Sequence, residues 1–393
     1  MSTPRDDAAR ASWPRRVALM VYGDLRLVRS GGNVYDANLV EHWNGRGVEV
    51  DIVQLPFASF ERALAHNAHK ALRRDVTERL VSGDYDLVVQ DELIHPSVLD
   101  WNESLRALVG APLVSIVHHL RSDEAWPTHE ATFYRKMESL YLDSIDAFIF
   151  NSETTKRSVD GLSPLSDRLS VVATPGGNRL IDIAGSHRGE EHWQRLIQRR
   201  LRRPGLEILF IGNVIPRKGL MALIDAVGSL VGSGVSLHVV GRESVDADYA
   251  AALRARVERH SLGDRVVFHG ELPDDELVPL LTRCHVFAMP STYEGFGIAY
   301  LEAMSFALPV VASSHGAAGE LVGDLNGRLV APNRPEALTR VLRALAEDRA
   351  LLETLSQGAR KTYERYPTWE QTGEKTLQFL SRLRLRLTAP GQT

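Results

Sequence analysis

Two glutamates, Glu294 and Glu302, frame the run Gly295-Phe296-Gly297-Ile298, in which a Gly-x-Gly turn leads into a helical pattern. The preceding Val-Phe-Ala-Met-Pro (286–290) reads as a buried strand, so the order is strand, Ser-Thr-Tyr loop, glycine turn, helix. Backbone N–H groups and the positive end of a helix dipole then meet at a strand's carboxyl edge, where open α/β sheets bind anions. Eight residues of helical rise cover ~12 Å, about the reach from a sugar across a diphosphate to a ribose. One carboxylate can bond hexose hydroxyls and the other ribose hydroxyls, with the amides between them serving phosphates.

Beside this stands Phe210-Ile-Gly-Asn-Val-Ile-Pro-Arg217-Lys218-Gly219, a strand ending in glycine followed by two cations and a helix over 220–232. A rigid fork of donors next to a point charge suits a diphosphate leaving group. An isolated Arg-Lys pair is more often a solvent-facing one; its place at the end of a core strand favours the diphosphate. In Leu113-Val-Ser-Ile-Val-His118-His119 a histidine ends another strand on the ligand-binding edge. An uncharged imidazole there can hydrogen-bond a sugar hydroxyl or an acceptor, though a histidine in such a place is as often structural. His118 is favoured over His119 because successive strand residues face opposite ways. Ser30-Gly31-Gly32 precedes a helix from about 33 and permits close backbone approach to a phosphate, or makes an ordinary tight turn.

Other arrangements carry less. Asp246-Ala-Asp248 reads as a helix-capping cluster rather than a metal pair, and His66 and His69 lack a third ligand, so no metal is expected. Phosphate-loop and serine-hydrolase signatures are missing.

The elements that must hold these residues alternate almost from end to end. Strands are expected at 16–22, 48–55, 87–90, 113–118, 147–151 and 169–173, with helices at 61–82, 97–109 and 129–143 among them. A second series follows at 207–211, 235–240, 266–269, 286–289, 309–311 and 327–330. Continuous apolar strands with helical crossovers predict parallel sheets covered on both faces, so the fold class is α/β with two doubly wound domains. The domains are expected at 15–184 and 204–366, with a seam in the polar stretch 185–205. The basic run Arg199-Arg200-Leu-Arg202-Arg203 within it is read as a solvated helix face. A last helix, 367–393, begins at a capping box, Thr368 to Gln371. Its basic end, Arg382-Leu-Arg384-Leu-Arg386, is read as a surface helix packing its leucines on the first domain, in preference to a lipid contact.

With 393 residues and a net charge of −4, neither length nor field argues for nucleic acid. The single cysteine, Cys284, excludes intrachain disulfides. A polar N-terminus and the lack of a long apolar run predict a cytoplasmic location.

Together these elements resemble the retaining glycosyltransferases of the GT-B fold, in the group-one class (family 4), over about 16–385. The match is carried by Glu294 and Glu302 followed by Ala303-Met304 and Leu308-Pro-Val-Val-Ala312, by Gly316-Ala-Ala-Gly319-Glu320, and by Arg217-Lys218-Gly219. Gly31-Gly32, Val117-His118, Phe148-Ile-Phe-Asn151-Ser-Glu-Thr154 and Tyr366-Pro-Thr-Trp369-Glu370 also agree; Thr174-Pro-Gly-Gly-Asn178 departs, where many members have Asn-Gly-Val-Asp. The resemblance implies two Rossmann-like domains facing a central cleft and metal-independent transfer with retention, without a cofactor. The partners are a nucleotide diphosphate sugar, UDP-hexose first and GDP-mannose second, and a hydroxyl acceptor. In it Arg217 and Lys218 hold the diphosphate, and Glu294 with the amides of Phe296, Gly297 and Ile298 holds the hexose. Glu302 binds the ribose, His118 orients sugar or acceptor, and His269-Gly270-Glu271-Leu272 faces the base. The C-terminal helix returns to the first domain.

The segment 56–82, with Phe57 and Phe60, is expected to border the acceptor. Competing readings are a glycoside hydrolase, a nucleotide-sugar epimerase, and a non-catalytic module that binds a nucleotide sugar. The hydrolase has no need of the cation pair.

Overall fold

The structure, a computed structural model, describes residues 13–25, 30–185, 189–230 and 232–388; the polar N-terminus and His187 of the expected seam lie outside them. Among the described residues, twelve strands form two parallel sheets. The first contains β1 (Arg16–Tyr22), β2 (Glu49–Leu55), β3 (Leu87–Asp91), β4 (Leu113–Val117), β5 (Ala147–Phe150) and β6 (Leu169–Val172) in the order β2-β1-β3-β4-β5-β6. The second contains β7 (Leu206–Ile211), β8 (Val235–Val240), β9 (Val266–Gly270), β10 (Val286–Met289), β11 (Val310–Ser313) and β12 (Gly327–Val330) in the order β12-β11-β10-β7-β8-β9. Strands such as β3, β4 and β10 are buried along their whole length, which is why they read as unbroken apolar runs rather than alternating ones.

Both sheets are wound the same way. In the first, the chain runs from β1 outward to β2 and then returns to the other side of β1 as β3. In the second it runs from β7 out through β8 and β9, then returns beside β7 as β10. Crossovers leave in opposite directions at those points and open a crevice at the carboxyl ends of the two strands.

Helical readings needed more correction than strand ones. The expected helix over 61–82 is interrupted: Phe60–Leu64 and Lys70–Ser82 are separate, because the His69 imidazole accepts from the Leu72 N–H and caps the second. The stretch 97–109 likewise divides into His95–Val98 and Asn102–Val109, and the helix placed over 220–232 is Leu220–Gly228.

The chain divides into two compact units, one running to Pro175 and taking up the segment from Trp369 on, the other spanning Gly176–Thr368. The boundary therefore lies ahead of the polar stretch. Helix Glu190–Leu201 within that stretch belongs to the second unit. Its Arg200 is no solvated residue: the buried guanidinium donates to the carbonyls of Ala307, Phe306 and Leu281 at 3.0 Å and Thr282 at 3.2 Å. Burial lowers its pKa to about 10. Helix Trp369–Thr388 packs in the first unit against helix Gly31–Gly45, where Trp43 Nε1 donates to Thr376 Oγ1 at 3.0 Å and Gly373 leaves room for the His42 ring. Its Leu377, Leu380 and Leu383 are buried, and Arg384 pairs with Asp86 at 3.0 Å. No helix among the described residues is long and apolar enough to cross a membrane.

Candidate active site

In the second unit the loops after β7 and β10, the two strands at the switch point, are tied together. Thr292 N–H donates to the Arg217 carbonyl at 2.7 Å, and Arg217 Nη1 donates to the Tyr293 carbonyl at 2.9 Å. Lys218 Nζ then lies 2.6 Å from Glu294 Oε1, with Arg217 Nη1 3.6 Å from the same oxygen. Burial would raise the Glu294 carboxyl; Lys218 and Arg217 more than reverse that and hold it at about 2. Two cations against one ionised carboxylate leave a net positive charge in a low-dielectric crevice, which is what a diphosphate requires.

Glycines make this packing feasible. Gly219 has φ +71°, and a Cβ there would stand 2.2 Å from the Pro290 carbonyl oxygen. Gly316 (φ +74°) lies under the Glu294 backbone, whose carbonyl accepts from Ala317 N–H at 2.8 Å. Gly297 has φ +94° and caps helix Ile298–Ser305. Glu294 consequently stands in the loop ahead of that helix, and the expected eight-residue helical rise to Glu302 does not exist. Phe296 turns its ring into the core, edge-on to Tyr366.

Glu302 is on the helix and buried, and its carboxylate is already engaged. Arg179 reaches Oε1 through Nε (2.9 Å) and Nη2 (2.7 Å), and its Nη1 reaches Asp274 Oδ2 at 2.5 Å. Burial lowers the guanidinium pKa, but Glu302 and Asp274 outweigh it and raise it. The sequence reading passed over Arg179, which directly follows the segment that departs from the family pattern. Gly177 just before it admits Leu301 and Tyr363, with a would-be Cβ 2.7 Å from Leu301 Cγ. An unusual arginine beside a paired glycine was the available signal.

At the carboxyl ends of β7, β8 and β9, Gly212, Gly241 and Gly270 stand side by side; Gly212 N–H bonds the Val240 carbonyl and Gly241 N–H the Gly270 carbonyl. Three adjacent strand ends without Cβ atoms form a floor that a planar group can approach. Beyond it Glu271 is paired with Arg242 at 2.8 Å, and Leu272 packs on the core.

In the first unit His118 follows β4 directly. Its Nε2 lies 3.1 Å from Asp36 Oδ1 on helix Gly31–Gly45, and Asn151 Nδ2 donates to its carbonyl at 2.8 Å. Burial pulls the imidazole pKa down, but Asp36 and then Asp91 push it up to about 9, so the ring is charged and not neutral as first read. Gly31 and Gly32 are the first residues of the helix, capped by Ser30, rather than a loop before it. A Cβ on Gly32 would lie 2.9 Å from His118 Cδ2, whereas one on Gly31 would meet nothing. Gly32 is there for the histidine. Phe57 is 82% exposed, but Phe60 is buried among Phe133, Tyr134 and His95, so it is a core residue and not an acceptor contact.

Three groups of mostly buried acidic, histidine or cysteine side chains bring potential metal-ligating atoms within 4.8 Å among the described residues. They are Asp36-Asp91-His118, Glu92-His95-Glu138 and Glu207-His238-Cys284; none includes Arg217, Lys218 or Glu294, and none includes His66 or His69. Asp246 caps helix Ala247–Arg259 by accepting from Tyr249 N–H.

Residues 196–362 match the family described as glycosyl transferases group 1. The chain is 27% identical over 322 residues to the MMP alpha-(1->4)-mannosyltransferase of Mycolicibacterium hassiacum, covering 78% of this chain and 73% of that protein. By the family match the chain resembles the group 1 glycosyltransferases over residues 196–362. Several other curated glycosyltransferase relatives are spanned over about half of their length. Among solved structures, the chain is similar to sucrose-phosphate synthase from Thermosynechococcus elongatus, with a TM-score of 0.79 at 20% identity, covering 95% of this chain and all of that one. It is also similar to HepE from Anabaena in complex with UDP and glucose, with a TM-score of 0.72 at 20% identity over 94% of this chain and 100% of that one. These likenesses establish the GT-B fold of two Rossmann-like units.

Proposed function

We propose that this chain is a family 4 glycosyltransferase that moves a hexose from UDP-hexose to a hydroxyl acceptor, with retention at the anomeric carbon and without a metal. The observation that carries the reading is the Arg217-Lys218-Glu294 cluster at the switch point of the second unit. Two fixed cations there can take up the charge that grows on a departing diphosphate, electrostatic stabilisation that needs no reorganisation during the reaction. Glu294 would hold hexose hydroxyls while it keeps both cations oriented, together with the amides of Phe296, Gly297 and Ile298. Glu302, presented by Arg179, would take the ribose hydroxyls, and the glycine floor with Gly270 and Leu272 would lie against the base. His118 would orient the sugar or acceptor, and Gly31 and Gly32 would allow the ligand a close approach to the backbone. The acceptor hydroxyl attacks on the face the diphosphate leaves, and a phosphate oxygen takes its proton; positioning supplies much of the rate. The setting proposed is cytoplasmic, with no nucleic-acid partner.

Relatives named as mannosyltransferases, one of them GDP-mannose-dependent, favour a second donor, GDP-mannose. A thermal-shift screen of nucleotide sugars decides between them, because a donor at saturating concentration raises the melting temperature. Turnover with the best donor in the presence of EDTA, with NMR of the product's anomeric proton, then tests metal independence and retention. Binding without any turnover, including slow hydrolysis of the donor, would instead identify a non-catalytic nucleotide-sugar module.

A further inference from the structure

His118 is held more completely than a residue that merely ends a strand needs to be. Its ring lies under Gly32, edge-on to Tyr35 at 5.3 Å between centroids, and its carbonyl accepts from both Asn151 and Thr155. The imidazole Nε2 is bonded to Asp36, a carboxylate buried on the first helix of the unit. Among the described residues nothing else hydrogen-bonds the ring, and Nδ1 is absent from the enclosed, unbonded atoms, so it is the nitrogen that solvent can reach. The Asp36 Oδ2 atom is buried without a hydrogen-bond partner. An acidic side chain is costly to bury in this way unless a cation compensates it.

We propose that Asp36 is a positioning residue for the transfer: it fixes His118 as a cationic donor whose Nδ1–H is presented to an oxygen of the bound sugar or acceptor. The inference rests on the hexosyltransferase reading above for the identity of that oxygen, but not for the state of the ring. Three charged groups face the imidazole: Asp36 from helix Gly31–Gly45, Asp91 from the end of β3, and Glu92 just beyond it. Asp91 accepts from Leu93 N–H at 3.0 Å, and its own carboxyl is pushed up to about 7 by burial and by Asp36. It therefore holds a proton below that pH, which leaves Asp36 as the ring's principal counter-charge. A histidine so paired cannot serve as a general base near neutrality. It acts as a permanent donor.

The test uses the full chain labelled with ¹⁵N-histidine, with the His118 resonance assigned by its loss in His118→Gln. In the wild type the imidazole is expected to stay doubly protonated through about pH 8, and a midpoint near the ordinary histidine value would overturn the proposal. In Asp36→Asn, a near-isosteric change, the midpoint is expected to fall by about two units. The alkaline fall of kcat/KM should move with it, giving about a tenfold loss near pH 8 that largely disappears near pH 6, while Asp36→Glu restores the wild-type profile. A loss that is uniform across pH, with an unshifted imidazole midpoint, would mean that Asp36 only supports the fold. Should Asp36→Asn not fold, the wild-type titration alone decides. Because that titration needs no turnover, a failure to find any sugar transfer counts against the transferase reading and leaves the proposal to be judged by the ring.

Discussion

In the first unit the strands at the switch point are β1 and β3, and the groups that follow them are acidic: Asp36, Asp91 and Glu92 around one charged histidine. In the second unit the corresponding strands are β7 and β10, and the groups that follow are basic: Arg217 and Lys218 around one glutamate. The same winding thus produces the same kind of crevice with a different charge balance. A crevice with surplus cations suits phosphate oxygens. One whose imidazolium is matched by Asp36 suits hydroxyl groups instead. On the function proposed, recognition of the nucleotide and recognition of the hydroxyl-bearing part would be separated by electrostatics before any shape is considered.

The largest expected effect falls on the basic crevice. Lys218→Ala removes the nearer cation from Glu294, and kcat should fall about 10²–10³-fold, the scale seen when one transition-state donor is deleted. Arg217→Ala should cost less, since Arg217 stands a full ångström farther from the carboxylate and also ties its own loop to Tyr293. Steady-state transfer rates for the two variants check the order, and equal rates to wild type in both would remove the diphosphate assignment.

Next in size is a matched pair in the acidic crevice. Gly32→Ala pushes a methyl group into the His118 ring, so it should lower stability by about 1–3 kcal/mol, as overpacking does, and reduce activity with it. Gly31→Ala, one residue earlier and with nothing near it, should stay within about 0.5 kcal/mol of wild type. Denaturant midpoints distinguish the two. Similar values for both would show that the histidine is not held by that helix.

The strands were the legible part of this molecule. Unbroken runs such as Leu113–Val117 and Val286–Met289 announce burial on both faces, and the structure places them within a residue or two of their expected ends. The group-one signature around Glu294 was legible for the same reason, since glycines with positive φ are required by backbone approach and cannot be replaced cheaply. What the sequence hid were pairings across long distances. Nothing near Arg200 shows that four carbonyls await it, and nothing near Asp36 shows that it lies under a histidine 82 residues away. Helix breaks were obscured too, because a histidine such as His69 is a less familiar cap than serine or aspartate. The segment 174–178 departs from the family pattern; its Gly177 and the Arg179 that follows it are fitted to helix Ile298–Ser305.

A smaller effect is expected at that fitted arginine. Arg179→Met should leave Glu302 less firmly oriented and weaken nucleotide diphosphate binding by about tenfold, an amount typical of one charge-assisted contact. If Glu302 serves the ribose, the loss should be greater for UDP than for its 2′-deoxy counterpart, because only the former has the hydroxyl to lose. Isothermal titration of both nucleotides against both proteins gives four affinities. An equal loss for the two would place Arg179 in the fold of the second unit rather than in ribose recognition.

The smallest effects are on stability, and they set the two crevices against each other at opposite ends of the pH scale. The folded pKa of Glu294 is lowered from 4.5 to about 2, so its stabilisation is complete above the unfolded value and disappears as pH falls through the folded one. The folded pKa of His118 is raised from 6.5 to about 9, so its stabilisation is complete below the unfolded value and disappears as pH rises through the folded one. In denaturant titrations, Glu294→Gln should therefore differ from wild type at neutral pH and converge with it on acidification. His118→Gln should differ near pH 6 and converge with wild type on the alkaline side instead. Convergence of both variants at the same end would mean that one of the two pairs does not carry its charges as described, and the contrast between an anion-binding and a hydroxyl-binding crevice would lose its electrostatic basis.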